Sequence, residues 1–223
     1  TEDGVKNYRK SFNCVVKTTF LHFFCKKVVF TKKIYYLCAQ NSKTTSIMLV
    51  QFRFDNFKCF KEETIFNVVA SNYYRDKMEN LINIPQYDLL RTAAIYGANA
   101  SGKTKLFQAF NFMREVVLTS ADTQSNNWQR NYAPFLLDTY SMDKTSSFEV
   151  VFIMNGLQYR YGFELNNKRI IAEWLFRKRS KEIRILEYND TGKLFYNEKY
   201  INPKIVSNLV EAKMFRENSL VVS

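Results

Sequence analysis

Gly97-Ala98-Asn99-Ala100-Ser101-Gly102-Lys103-Thr104 is the stretch on which the fold turns. It fits G-x-x-x-x-G-K-[ST], a pattern whose residue types follow from the physics of holding a polyphosphate. Successive backbone N–H groups must curl around phosphate oxygens, so glycine belongs where a side chain would block the approach or where φ must be positive. Ala98, Asn99, Ala100 and Ser101 fill the variable positions and contribute backbone N–H groups. A helix that starts where the loop ends points its N-terminal N–H groups and the positive end of its dipole at the same anion. Lys103 adds an ammonium that reaches the β- and γ-phosphates, and the Thr104 hydroxyl is the residue type that ligates Mg2+. On this chain's own Gly, Lys and Ser/Thr frequencies, the pattern arises by chance with a probability of roughly 0.002.

The flanking sequence agrees with that reading. Residues 92–96 (TAAIY) form a charge-free apolar run, the pattern of a strand covered on both faces, and run directly into Gly97. Beyond the loop, Leu106, Phe110, Met113 and Val117 recur at helical spacing, which predicts a helix over about 103–118 with a core-facing stripe. Residues 120–131 are polar and read as a loop. Upstream, 48–54 (MLVQFRF) alternates as a half-buried strand, and 64–70 (TIFNVVA) is a second strand that would close an opening hairpin. From Ser147 the period changes to two. Strands over 148–154 and 157–165 meet across Asn155-Gly156, a dipeptide suited to a type I′ turn. Tyr159, Tyr161, Phe163 and Leu165 share one face of the second strand, with Gln158, Arg160 and Glu164 on the other. Further strands around Asn166 and Asn167, and a hairpin across 189–192, complete an antiparallel meander. An interrupted element follows over 211–216.

The chain has 223 residues, 46% hydrophobic and 24% charged, with six Gly and three Pro. It is long enough to bury a core without disulfide or metal staples, and the composition excludes collagen-like, low-complexity and disordered classes. No apolar run approaches the roughly 20 residues of a membrane-spanning helix, so no membrane partner is expected. Cys14, Cys25, Cys38 and Cys59 lack zinc-site spacing, and His22 is the single histidine. Free thiols in a reducing compartment fit, which predicts a cytoplasmic, soluble protein. The net charge of +12 is uneven: nine Lys/Arg against two acidic residues precede Met48, and 24 against 19 follow. Residues 1–47 therefore read as a basic N-terminal extension. Upstream sequence ahead of a start at Met48 is the preferred account, with a basic nucleic-acid or membrane-surface arm and a packed extension of the domain as alternatives.

The nucleotide is read as adenine by default, because Asn167-Lys168-Arg169-Ile170 fails the guanine-reading N-K-x-D element at its last position. Hydrolysis requires an acidic residue closing an apolar strand to hold Mg2+. Asp138, after Phe135-Leu136-Leu137, is the nearest candidate; its other reading is an ordinary strand-end aspartate. Arg177, Lys178, Arg179, Lys181 and Arg184 form a basic run that would suit a nucleic-acid-binding sheet face.

Asn56-Phe57-Lys58-Cys59-Phe60 after a first strand, then the 97–104 loop, then Phe148-Glu149-Val150 and Tyr159-Arg160-Tyr161-Gly162-Phe163, together resemble ABC-like ATPase heads of the SMC, RecF and OLD kind. They are more closely similar to bacterial AAA-type ATPases of the AAA_21 kind, often found near restriction or phage-defence genes. The resemblance covers about 48–223. It implies an α/β P-loop NTPase fold, an ABC-head-like N-terminal lobe with an antiparallel β meander. It also implies ATP and Mg2+ at residues 97–104, Lys58 near the nucleotide, and Gln124 or Gln129 sensing Mg2+ and water. The partners it implies are a second head in a head-to-head homodimer, and nucleic acid or a nuclease or other effector. The chain departs from that family pattern in lacking a Ser-Gly-Gly-type signature, a strand ending in Asp-Glu and a downstream histidine switch. Residues 48–223 are therefore expected to be the N-terminal part of an ATPase domain, able to bind nucleotide weakly without efficient turnover.

Overall fold

The computed structural model describes residues 28–31, 34–38, 47–71, 78–121, 127–191, 193–203, 206 and 219–222. Cys14, His22, Cys25, Gln124 and the element expected over 211–216 lie outside them. In chain order the elements are β1 (Val28–Thr31), β2 (Ile34–Cys38), β3 (Ile47–Phe54), β4 (Thr64–Asn67), β5 (Leu81–Ile84), β6 (Tyr87–Leu90) and β7 (Thr92–Ile95). Then come α1 (Lys103–Thr119), α2 (Asn127–Asn131), α3 (Thr139–Asp143), β8 (Ser146–Met154), β9 (Leu157–Leu165), β10 (Ile170–Lys178), β11 (Glu182–Tyr188) and β12 (Leu194–Tyr196).

The predicted meander forms one antiparallel sheet of seven strands, ordered β12-β11-β10-β9-β8-β3-β4. Local chemistry sets its turns. Asn155 and Gly156 have φ of 51° and 74°, the paired left-handed geometry of the I′ turn. Asn166 turns β9 into β10 by accepting the N–H groups of Lys168 and Arg169 on its side-chain oxygen. The opening hairpin pairs β3 with β4, but β4 stops at Asn67 instead of reaching Ala70. The Asn67 side chain accepts the Val69 N–H at 2.9 Å, a local turn that competes with the ladder.

Helix α1 covers one face of this sheet. Leu106, Phe110, Met113 and Val117 are all buried, as their spacing requires. Phe110 stacks on Phe52 with ring centroids 3.8 Å apart, and Phe112 packs against Phe57 and Phe148. Burial of each such side chain stabilises by roughly 1.5–3 kcal/mol, which ties the helix after the loop to β3 and β8. The opposite face carries charge. Glu149, buried on β8, accepts from Arg160 and from the Trp174 indole, and lies 3.2 Å from Arg53 Nε. Trp174 fits there because Gly162 offers no side chain: a Cβ at that position would meet the indole at 2.5 Å and the Phe148 carbonyl at 2.7 Å. Gly162→Ala should lower stability by about 2 kcal/mol in urea unfolding, since overpacking displaces the ring. An unchanged midpoint would show that Trp174 yields freely.

The structure departs from the sequence expectations in two further places. The 120–131 stretch is not all loop, because α2 forms within it around the buried Trp128. The strand before Gly97 is not covered on both faces. Strand β7 alternates exposed and half-buried residues, belongs to a separate three-stranded sheet ordered β1-β2-β7, and leads to Tyr96, which is 83% exposed. Its paired neighbour among the described residues is β2, antiparallel, and Ile95 packs on the core. Two alanines and a threonine give the rest of the strand little apolar surface to bury.

Candidate phosphate-binding site

The loop before α1 is backed by a second loop, which a third holds in place. The first is 97–104 itself. Ala100 and Gly102 have φ of 64° and 88°, left-handed values that bend the chain sharply before the helix. Gly102 is the N-cap, and its carbonyl accepts the Leu106 N–H to begin the helical ladder. Lys103 folds back over the loop it follows. Its ammonium donates to the Gly97 carbonyl at 2.8 Å, the Ala98 carbonyl at 2.6 Å and Ser101 Oγ at 3.3 Å. These acceptors are neutral, so an entering phosphate offers the cation stronger, charge-assisted bonds than it holds already.

The second loop follows β3. Asn56 is buried with φ 44°, and its Nδ2 lies 2.9, 2.9 and 3.2 Å from the carbonyls of Ser141, Lys144 and Thr145. Its Oδ1 accepts the Phe135 N–H. One amide side chain thus ties this loop to the third, 133–145. Lys58, with φ 54°, donates its backbone N–H to the Ala133 carbonyl and its ammonium to Gln108 Oε1 at 3.0 Å. Burial, and then the neighbouring Lys105 charge, hold its pKa below the ordinary lysine value.

Cys59 and Phe60 complete the wall beside Gly102. A Cβ on that glycine would come 3.2 Å from Phe60 Cζ and 3.4 Å from Cys59 Sγ. With φ also left-handed, Gly102→Ala should lower stability by about 1–2 kcal/mol in chemical denaturation. An unaltered unfolding curve would mean that the loop adopts another geometry.

The remaining candidates are placed elsewhere or otherwise employed. Asp138 closes no strand. It is the N-cap of α3, accepts from the Tyr140 N–H and Ser141 Oγ, and pairs with Lys61 at 3.1 Å. The hydrogen bond from Lys61, then that from Ser141, lowers its pKa, and both fall on Oδ2 while the Tyr140 N–H takes Oδ1. Gln129 sits on α2 with its amide donating to the Lys168 carbonyl at 2.8 Å. The same short helix is tied by Asn131 to Glu115, 12 residues along α1 from Lys103 and hence about 18 Å up the helix axis. Gln129 therefore belongs to the far end of α1. Among the described residues no group of three or more His, Cys, Asp or Glu is arranged to hold a metal ion. Among the same residues no helix is long and apolar enough to cross a membrane. Cys59 is exposed and free.

The family described as "AAA domain, putative AbiEii toxin, Type IV TA system" matches residues 93–211, from the strand entering the loop through the antiparallel sheet, just over half of the chain. The chain belongs to this AAA family. No curated protein matches it. Membership makes the protein an AAA-type, P-loop, nucleotide-binding chain of ATPase-like function, in a family that generally uses ATP and Mg2+. The α/β architecture of the AAA chain agrees, with α1 seated on an antiparallel sheet. The match starts downstream of Cys59 and Phe60, so the wall those residues build beside Gly102 comes from sequence outside the matched region.

Asn56, Cys59, Phe60 and Gln108 are members of the site that sequence reasoning left without a role. The N-F-K-C-F stretch was visible, but its contact with Gly102 spans more than 40 residues and leaves no local periodicity.

Proposed function

We propose that residues 97–104 bind the phosphates of ATP, with Thr104 holding Mg2+, in an ATPase head related to SMC, RecF and OLD heads. The single observation that carries this reading is the Lys103 ammonium, curled over a left-handed glycine loop and, among the described residues, bonded only to neutral oxygens of that loop. The residues present fit a polyphosphate. Backbone N–H groups and the α1 dipole supply positive potential at one point, and no carboxylate among the Lys103 partners competes for the cation. Thr104 would hold Mg2+, which would supply positive charge to offset that of the phosphates. The chain's own part is to hold the phosphates by Lys103 and the loop backbone, and to keep Gly102 against Phe60 so that the loop stays curled.

Head-to-head pairing with a second copy is supported by the exposed apolar side chains beside these loops. Tyr96, Leu137 and Tyr140 are 83%, 89% and 76% exposed, more apolar surface than a solvent-facing rim requires. A role coupled to nucleic-acid-directed defence or repair is supported by the family's description, which names a toxin and a type IV toxin–antitoxin system. Titration calorimetry with Mg·ATP tests the reading directly, followed by turnover assays of the longest natural form of the chain. No uptake by folded protein would end it.

A nucleotide-regulated nucleic-acid module is the second reading. Lys178, Arg179 and Lys181 lie exposed at the β10–β11 hairpin. Arg184 is paired with Glu187, and Arg177 lies over Tyr200, so three of the five cations carry that reading. It requires DNA or RNA affinity that falls steeply with salt and is lost when those three are neutralised.

A further inference from the structure

The Lys58 side chain runs from a left-handed residue across the Phe57 ring to the flank of α1, where its ammonium meets Gln108. Gln108 lies five residues after Lys103, with Lys105 close enough for its charge to act on Lys58. The hydrogen-bond partner of this half-buried ammonium is thus a neutral amide, and a second cation, Lys105, acts on it. Among the described residues no carboxylate pairs with this ammonium, and Gln108 fixes its direction on the flank of α1.

We propose that Gln108 is a positioning residue: it holds the Lys58 ammonium on the α1 flank, five residues after Lys103, while leaving its charge free for the nucleotide's phosphates. This rests on the ATP-binding reading above. A glutamine suits the task where a carboxylate would not. Its Oε1 accepts one ammonium proton and fixes direction, but adds no negative charge to cancel the attraction for an anion. The other ammonium protons remain for phosphate oxygens, and the Asn56 hydrogen bonds keep the loop backbone from retreating. Lys105 raises the local positive potential without touching the Gln108 bond.

The test titrates the whole chain with Mg·ATP by calorimetry at low and moderate salt. It compares wild type with Lys58→Met, Gln108→Leu, Gln108→Glu and the double variant Lys58→Met/Gln108→Leu. Lys58→Met should weaken binding about tenfold, and Gln108→Leu about fivefold, as expected for loss or misplacement of one charge-assisted contact. The double variant should be no weaker than Lys58→Met, because the amide acts only through the lysine. Gln108→Glu is the discriminating case. It keeps or strengthens the bond to Lys58, yet should weaken nucleotide binding about as much as Lys58→Met and flatten its salt dependence. If Gln108→Glu binds as wild type does, or if the two single losses add in the double variant, the positioning role is overturned. Circular dichroism of each variant separates these outcomes from misfolding, and Gln108→Glu, isosteric and at a half-buried site, keeps the test open should Gln108→Leu unfold. Uptake that depends on Lys103 but ignores Gln108 refutes this proposal alone. No uptake by folded wild type refutes both it and the reading beneath it.

Discussion

Replacing Lys103 with alanine should lower Mg·ATP affinity at least about a hundredfold in titration calorimetry while leaving the thermal melt nearly unchanged. The asymmetry comes from where the side chain sits. Its three bonds are to exposed, neutral oxygens of the loop, which water can replace, so the stability change should stay within about 0.5 kcal/mol. With phosphate present the same ammonium makes charge-assisted bonds worth about 1.5–3 kcal/mol, the scale of a hundredfold change. Lys103→Arg should recover little, because a planar guanidinium is bulkier than the loop that an ammonium fits. Unchanged affinity in Lys103→Ala would remove the basis for assigning phosphate binding to residues 97–104.

The second large effect concerns Glu173, on the sheet face that α1 covers. Its carboxyl is fully buried, accepts the Tyr161 hydroxyl at 3.0 Å, and accepts the N–H groups of Val221 and Val222 at 2.6 and 3.3 Å. Alongside, Ser120 Oγ at the end of α1 accepts the Leu220 N–H. Residues 220–222 are thereby clasped between the C-terminus of the loop-bearing helix and β10. Burial raises the Glu173 pKa to about 7, and the Val221, Tyr161 and Val222 bonds pull it down again without overcoming that cost. The folded protein therefore keeps a proton that the unfolded chain has released above its usual value of 4.5. That contribution to stability is complete below about pH 4.5 and is lost as pH rises through 7. Over that window it amounts to about 3 kcal/mol.

Glu173→Gln has no proton to lose. The stability difference between wild type and this variant, read from urea unfolding at closely spaced pH values, should shift by about 3 kcal/mol against wild type between pH 4.5 and 8. Taking the difference cancels every other titrating group. A difference that stays flat with pH would mean that the carboxyl ionises normally and that its burial is not maintained in solution.

These two effects also mark the limits of reading the chain linearly. Lys103 was identifiable because phosphate binding demands a contiguous pattern, and the stripe of Leu106, Phe110, Met113 and Val117 because helical spacing repeats within 12 residues. The meander was equally legible, with Asn155-Gly156 setting its tightest turn. Glu173 gave no such sign. It occupies an inward position on β10 among apolar neighbours, and its clasp on Val221 lies 48 residues away. Asp138 and Gln129 were ambiguous for a related reason. Their residue types suit metal and water chemistry, but capping α3 and bonding the Lys168 carbonyl are local uses that composition does not distinguish.

By itself the sequence determined a phosphate-type loop, an amphipathic helix after it and an antiparallel meander, because each of those features is written in spacings of a few residues. Tertiary structure alone decided that β7 keeps one side open, that Asn56 joins two loops 79 or more residues apart, and that Cys59 and Phe60 back onto Gly102. It also decided that Lys58 faces an amide and not an acid. These are contacts between distant segments, fixed by how the apolar faces of α1 and the sheet close together, and no periodicity within either segment carries them.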